Sequence, residues 1–169
     1  MTLLSSGVLC QGEMDLGMSK RVLLVDDKRE KFIAIRRFLH SKHPDWHLEW
    51  SKHFRQAQNN LRIGRFDLLL LDMSFEIHGA ASEALTFNGL AGLHVLQFMW
   101  RSKIDIPTVI CTSHENYSDP DFGTIQGIDS LTAYVQDVFG PSVLGCVLMT
   151  ADENTWNSDL EKVIDHASI

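Results

Sequence analysis

Residues 22–27 read Val22-Leu23-Leu24-Val25-Asp26-Asp27, four apolar residues that run straight into a pair of carboxylates. A short, wholly apolar run without alternation suits a strand covered on both faces, as in a parallel sheet packed between helices. The same grammar recurs twice downstream. Leu68-Leu69-Leu70-Leu71 is followed by Asp72, and Thr108-Val109-Ile110-Cys111 by Thr112 and Ser113. Polar residues that follow buried parallel strands lie together at the carboxyl edge of the sheet, where open α/β sheets bind ligands.

Between these strands the spacing turns helical. Residues 28–40 place Phe32, Ile35 and Leu39 on one stripe, with Lys28, Arg29, Arg36 and Arg37 mostly outside it. Trp46, Leu48 and Trp50 alternate with His47 and Glu49, the period of an edge strand wet on one side. Phe54, Ala57 and Leu61 mark a second helix that Gly64 can end. Leu93, Leu96 and Trp100 repeat at helical spacing, and residues 129–139 read as helix up to Gly140-Pro141. Val143 to Met149 forms the last expected strand, and Asn157 or Ser158 is the expected cap of a final helix bearing Leu160, Val163 and Ile164. Five strands alternating with helices predict a doubly wound α/β sheet with right-handed crossovers.

The 169 residues, 44% hydrophobic and 22% charged, suffice for one core and not for two ordinary domains. Residues 1–19 lack apolar periodicity and are expected to form a flexible tail ahead of one domain over 20–169. No apolar run approaches the ~20 residues that span a bilayer, and no basic segment precedes the N-terminal apolar pairs, so a cytoplasmic chain is expected. Cys10, Cys111 and Cys146 have no metal-ligand spacing. Cys111 and Cys146 are expected on adjacent strands as core residues rather than a redox pair, and Trp46, Trp50 and Trp100 as core or edge packing. The net charge is −7, and residues 104–169 contain a single base, Lys162; such a chain is not expected to follow a nucleic-acid backbone.

Three carboxylates brought to one rim repel each other, so they must retain protons or hold a cation. Oxygen-only ligands suit a hard ion that keeps several waters, which makes Mg²⁺ the expected cofactor. A metal beside an accessible aspartate permits covalent chemistry, with the carboxylate taking a phosphoryl group as an acyl phosphate.

The segments 22–30 (VLLVDDKRE), 66–75 (FDLLLLDMSF), 88–99 (NGLAGLHVLQFM) and 106–113 (IPTVICTS) resemble the receiver domain of two-component response regulators. That resemblance implies a flavodoxin-like sheet of order 2-1-3-4-5. It implies Asp72 as phosphoacceptor and Asp26 with Asp27 as the metal-binding acid pair, the Ser74 main-chain carbonyl completing the protein's share. It further implies Thr112 as the hydroxyl that senses the phosphoryl group. The implied partners are a histidine kinase or phosphotransfer protein and a downstream protein target, with homodimer formation left open.

Two departures stand out. Receivers carry a lysine at the end of the fifth strand, where this chain has Val147-Leu148-Met149-Thr150, and the aromatic usual on that strand is replaced by Gly145, Cys146 and Val147. His114, two residues after Thr112, is a candidate donor in the lysine's place. The second departure is a long insertion over about 74–91, readable as a lid, a partner surface or a tolerated loop. His78 and His94 lack the paired spacing of transition-metal ligands. The departures keep a second reading open, a degenerate pseudo-receiver that binds partners without phosphate. A third, a Mg²⁺-dependent phosphatase of the haloacid-dehalogenase type, requires an acid two residues after the nucleophile, where this chain has Ser74.

Overall fold

The computed structural model describes residues 19–75, 90–119, 122–167 and 169. Residues 1–18 of the expected tail and most of the 74–91 insertion, with His78, lie outside the described residues.

The strands β1 (Arg21–Val25), β2 (His47–Ser51), β3 (Leu68–Leu71), β4 (Thr108–Thr112) and β7 (Val143–Leu148) form one sheet of order β2-β1-β3-β4-β7. Every neighbouring pair is parallel, with Val22 opposite both Leu48 and Leu68. This is the expected flavodoxin-like order. β5 (Asn116–Asp119) and β6 (Gly123–Gln126) form a separate antiparallel hairpin between β4 and the next helix, with Tyr117 opposite Ile125. The sequence reading has no counterpart for this hairpin, because each strand turns only one apolar side chain inward: Tyr117 and Ile125 are buried among polar neighbours.

Helices cover both faces. α1 (Arg29–Lys42) and α5 (Glu153–His166) close one core around Val22, Leu24, Leu68, Leu70, Val109 and Val147. α2 (Phe54–Ile63), α3 (Ala91–Ser102) and α4 (Ile128–Phe139) close the other over Leu23, Val25, Leu69, Leu71 and Ile110. The period of 2 along each strand sends alternate residues to opposite cores. All four residues of β3 are therefore buried, whereas the edge strand β2 stays half-exposed.

Two expectations need correction. α5 starts at Glu153, well before Asn157 and Ser158, because the Asp152 side chain accepts the Asn154 N–H at 3.1 Å and caps the helix there. Trp100 is not a packing residue: it is 70% exposed, and the fully buried indole is that of Trp156 on α5. Cys111 and Cys146 do lie on adjacent strands, Cys146 paired with Ile110 and Cys111 with Val147, so they face different cores. Burial pushes their thiols up to about 12 and about 11.

Candidate functional site at the carboxyl edge of the sheet

Asp26 and Asp72 are each placed by a ladder that continues one residue past its strand. The Asp26 N–H donates to the Ser51 carbonyl at 3.1 Å, and the Asp72 N–H donates to the Val25 carbonyl at 2.9 Å. β1 and β3 being neighbours, the two carboxylates meet, and oxygens of Asp26, Asp27 and Asp72 all lie within 4.8 Å of one another. Asp26 and Asp72 are buried and Asp27 is half-buried. The three sequence-derived acids are thus brought together as expected.

Gly92 seats α3 against this rim. Its N–H donates to the Met73 carbonyl at 3.1 Å, and a Cβ built on it would stand 2.6 Å from the Asp72 carbonyl oxygen. Only a residue without a side chain fits so close to the backbone of the strand end.

A fourth charged group, absent from the sequence reading, sits inside the cluster. Lys31, in the first turn of α1, is only 7% exposed. Its Nζ lies 2.8 Å from Asp26 Oδ2 and 2.9 Å from Asp72 Oδ1, and donates to the Cys111 carbonyl at 3.0 Å. The three protons of one ammonium are directed at the ends of three adjacent strands. The signal was present in the sequence, since Lys31, Ile35 and Phe38 share the buried stripe of α1 at i, i+4 and i+7.

The electrostatics follow from burial. Asp26 is pushed from 3.8 up to about 6, chiefly by loss of solvent and further by the Asp72 charge, against the pull of Lys31 and the Lys28 N–H on Oδ1. Lys31 is raised, because its two carboxylate partners outweigh desolvation, the largest single cause and one that acts to lower it. Since folding tightens the proton on Asp26, the stability due to that proton is complete below pH about 4 and is lost as pH rises through about 6. The metal-free chain is expected to be less stable at pH 7 than at pH 4 by about 2–3 kcal/mol from this group, with Asp26→Asn flattening the slope in urea titrations.

Thr112 ends β4 as expected, fully buried, but its hydroxyl is already engaged. It accepts the His114 N–H at 3.2 Å and hydrogen-bonds the Tyr117 hydroxyl, which donates to the His114 carbonyl at 3.0 Å. The backbone of His114, rather than its exposed side chain, therefore organises Thr112. Tyr117, delivered by the inserted hairpin, is the aromatic at this rim; burial raises its phenol strongly. Ser74 is half-buried two residues beyond Asp72. On the last strand, β7 runs out into buried Met149 and exposed Thr150, so no lysine is supplied there. Among the described residues, His94 packs edge-on against Phe122 and takes no part in the cluster.

The donor set tests well against a hard divalent cation. Its ligands are carboxylate oxygens, and Asp72 Oδ2 is buried with no hydrogen-bond donor, a costly state that a cation would relieve.

Solved structures similar to this chain share its fold. A CheY-like response regulator receiver domain from Methanospirillum hungatei superposes with a TM-score of 0.58 at 11% identity, over 89% of this chain and 97% of that one. The fold is that of a response regulator receiver domain. The phosphorylated cyanobacterial phytochrome response regulator RcpA gives a TM-score of 0.60 at 16% identity, covering 87% of this chain and 92% of RcpA. TrrA from Thermotoga maritima, a response regulator solved in complex with Mg²⁺ and BeF, gives 0.55 at 17% identity, with 85% and 98% covered. No protein-family model matches the sequence, and no curated protein does. This receiver fold differs from its sequence-based outline by the added β5–β6 hairpin and by the lysine that enters the acid cluster from α1. No helix among the described residues is long and apolar enough to cross a membrane.

Proposed function

We propose that this chain is a cytoplasmic receiver module that takes a phosphoryl group on Asp72 from the phosphohistidine of a kinase or phosphotransfer protein and signals to a downstream protein by contact. The observation that carries this reading is the buried Asp72 carboxylate at the end of β3, with Oδ1 ion-paired, Oδ2 without a donor, and Asp26 and Asp27 beside it. The attacking atom is an oxygen of the Asp72 carboxylate. It forms the new P–O bond as the bond from phosphorus to the donor imidazole nitrogen breaks; that nitrogen keeps the electron pair, takes a proton from solvent and leaves as neutral imidazole. Asp26, Asp27, Asp72 and the Ser74 main-chain carbonyl would hold Mg²⁺, which when bound supplies positive charge to the transferring oxygens. Thr112 holds a hydroxyl at the neighbouring strand end, and to meet a phosphoryl oxygen it must exchange its bond with Tyr117. That TrrA, a response regulator of the same fold, was crystallised with Mg²⁺ and BeF supports the inclusion of the ion in this reading. The chemistry is confined to the chain's own carboxylate, so the reading is a switch rather than an enzyme acting on a released substrate.

The test is intact mass after incubation with Mg²⁺ and acetyl phosphate. The wild-type chain is expected to gain one phosphoryl group and Asp72→Asn none. A single observation favours the pseudo-receiver alternative, the ammonium of Lys31 standing where extra positive charge would otherwise come from an ion. A wild type that never gains the adduct decides for that alternative.

A further inference from the structure

Lys31 is built into the acid cluster rather than laid over it. It is nine-tenths buried, its stem lies on the packed stripe of α1, and its three donors meet Asp26, Asp72 and the Cys111 carbonyl at 2.8, 2.9 and 3.0 Å. Three carboxylates against one ammonium leave a net charge of −2, which a divalent ion would balance. Space, however, sets a conflict. A Mg²⁺ ion takes its oxygens at about 2.1 Å. An ion on Asp72 Oδ2 would share that carboxylate with the ammonium on Oδ1, and an ion on the oxygens that now face Nζ would stand against it; two like charges that close repel strongly in a site with little water.

We propose that Lys31 is a tethered counter-ion of the acid cluster, which holds Asp26 and Asp72 together without metal and must withdraw, or be displaced from at least one carboxylate, for a divalent cation to bind. The inference rests on the receiver reading for its purpose, and it deepens that reading by naming what regulates the same site. It makes the cluster a cation-exchange site: the tethered ammonium and the free ion compete for the same carboxylates, so the level of free divalent ion sets which one holds the strand ends. The ammonium, on a side chain long enough to follow the charge, remains at hand when Asp72 becomes an acyl phosphate and the negative charge lies on the phosphoryl oxygens. The expected result in the metal-free chain is two buried carboxylates that depend on one amine.

The experiment is a titration of the full chain with MgCl₂ alone, followed calorimetrically, for wild type and Lys31→Met. Removing the ammonium is expected to tighten Mg²⁺ binding by about tenfold or more. Equal or weaker binding by the variant, or no binding by either chain, overturns the proposal. If Lys31→Met is unfolded without metal, recovery of its circular dichroism on adding Mg²⁺ supports the proposal, and failure to recover counts against it. In the wild type, the ¹⁵Nζ resonance of Lys31 is expected to shift along the same saturation curve as the heat; metal binding that leaves this resonance unmoved is the other overturning result. Acetyl phosphate added to the same wild-type sample separates the two ideas. Absence of an adduct counts against the receiver reading and leaves the counter-ion result as measured.

Discussion

Trp156→Ala is expected to lower the stability of the chain by about 3–5 kcal/mol, read as a fall in the urea midpoint at unchanged slope. Trp156 is 2% exposed, its ring lies 6.0 Å from that of Phe38, and it joins α5 to the core shared with α1 and the central strands. Truncation leaves a void the size of an indole between two helices and a sheet, none of which can close over it without breaking its own ladder. A domain of this size has about 5–15 kcal/mol in total, so the loss brings it within reach of unfolding at body temperature. Trp100→Ala is the matched control: at 70% exposure it should change stability by about 0.5 kcal/mol or less.

Gly92→Ala has the second largest expected effect, and its sign is the informative part. In an open helix this change gains up to about 1 kcal/mol from helix propensity. Here the new Cβ meets the Asp72 carbonyl oxygen at 2.6 Å, Met73 Sδ at 2.8 Å and Met73 Cα at 3.1 Å. Two of those atoms are backbone and cannot swing aside, so α3 must lift from the end of β3, at a net cost of about 1–3 kcal/mol. Since the atoms displaced belong to the segment that holds Asp72, the Mg²⁺ affinity should fall along with the denaturation midpoint. A stability loss with Mg²⁺ affinity unchanged would show that α3 and the acid cluster are mechanically independent.

The parts of the molecule that were legible in the sequence are those whose signal is a run or a period. VLLV and LLLL are buried on both sides and could be nothing but central strands once helices alternated with them, and the acids that follow them were placed by the same logic. The hairpin was hidden because Asn116, Ser118, Gly123, Thr124 and Gln126 carry no apolar alternation; a pair of inward residues, Tyr117 and Ile125, is too short a pattern to detect. Lys31 was obscured for the opposite reason. It falls on the apolar stripe of α1, but a lysine in a basic stretch reads as solvated until three acceptors at the strand ends show where its amine goes. The start of α5 depended on which of several polar residues became the cap, a choice made by the local bond from Asp152 to Asn154 and not by the pattern of Leu160 and Val163.

That the aromatic at the rim comes from an inserted hairpin also has a physical meaning. Tyr117 is bonded to both Thr112 and the backbone of His114, so hairpin and sheet edge are coupled through one hydroxyl. A shift of Thr112 toward an anion on Asp72 must break or remake that bond, which gives the hairpin a direct stake in the state of the pocket.

Trp50 stacks on Phe32 with ring centroids 4.4 Å apart, and its indole Nε1–H donates to the main-chain oxygen of Asp26 at 2.7 Å. The chain thereby contains a chromophore wired to the acid that anchors the cluster. Gain or loss of an ion there is expected to change the electric field along the indole and to shift the emission of this tryptophan. Over the constant emission of Trp46, Trp100 and Trp156, that shift is expected to report the state of the pocket with no dye attached.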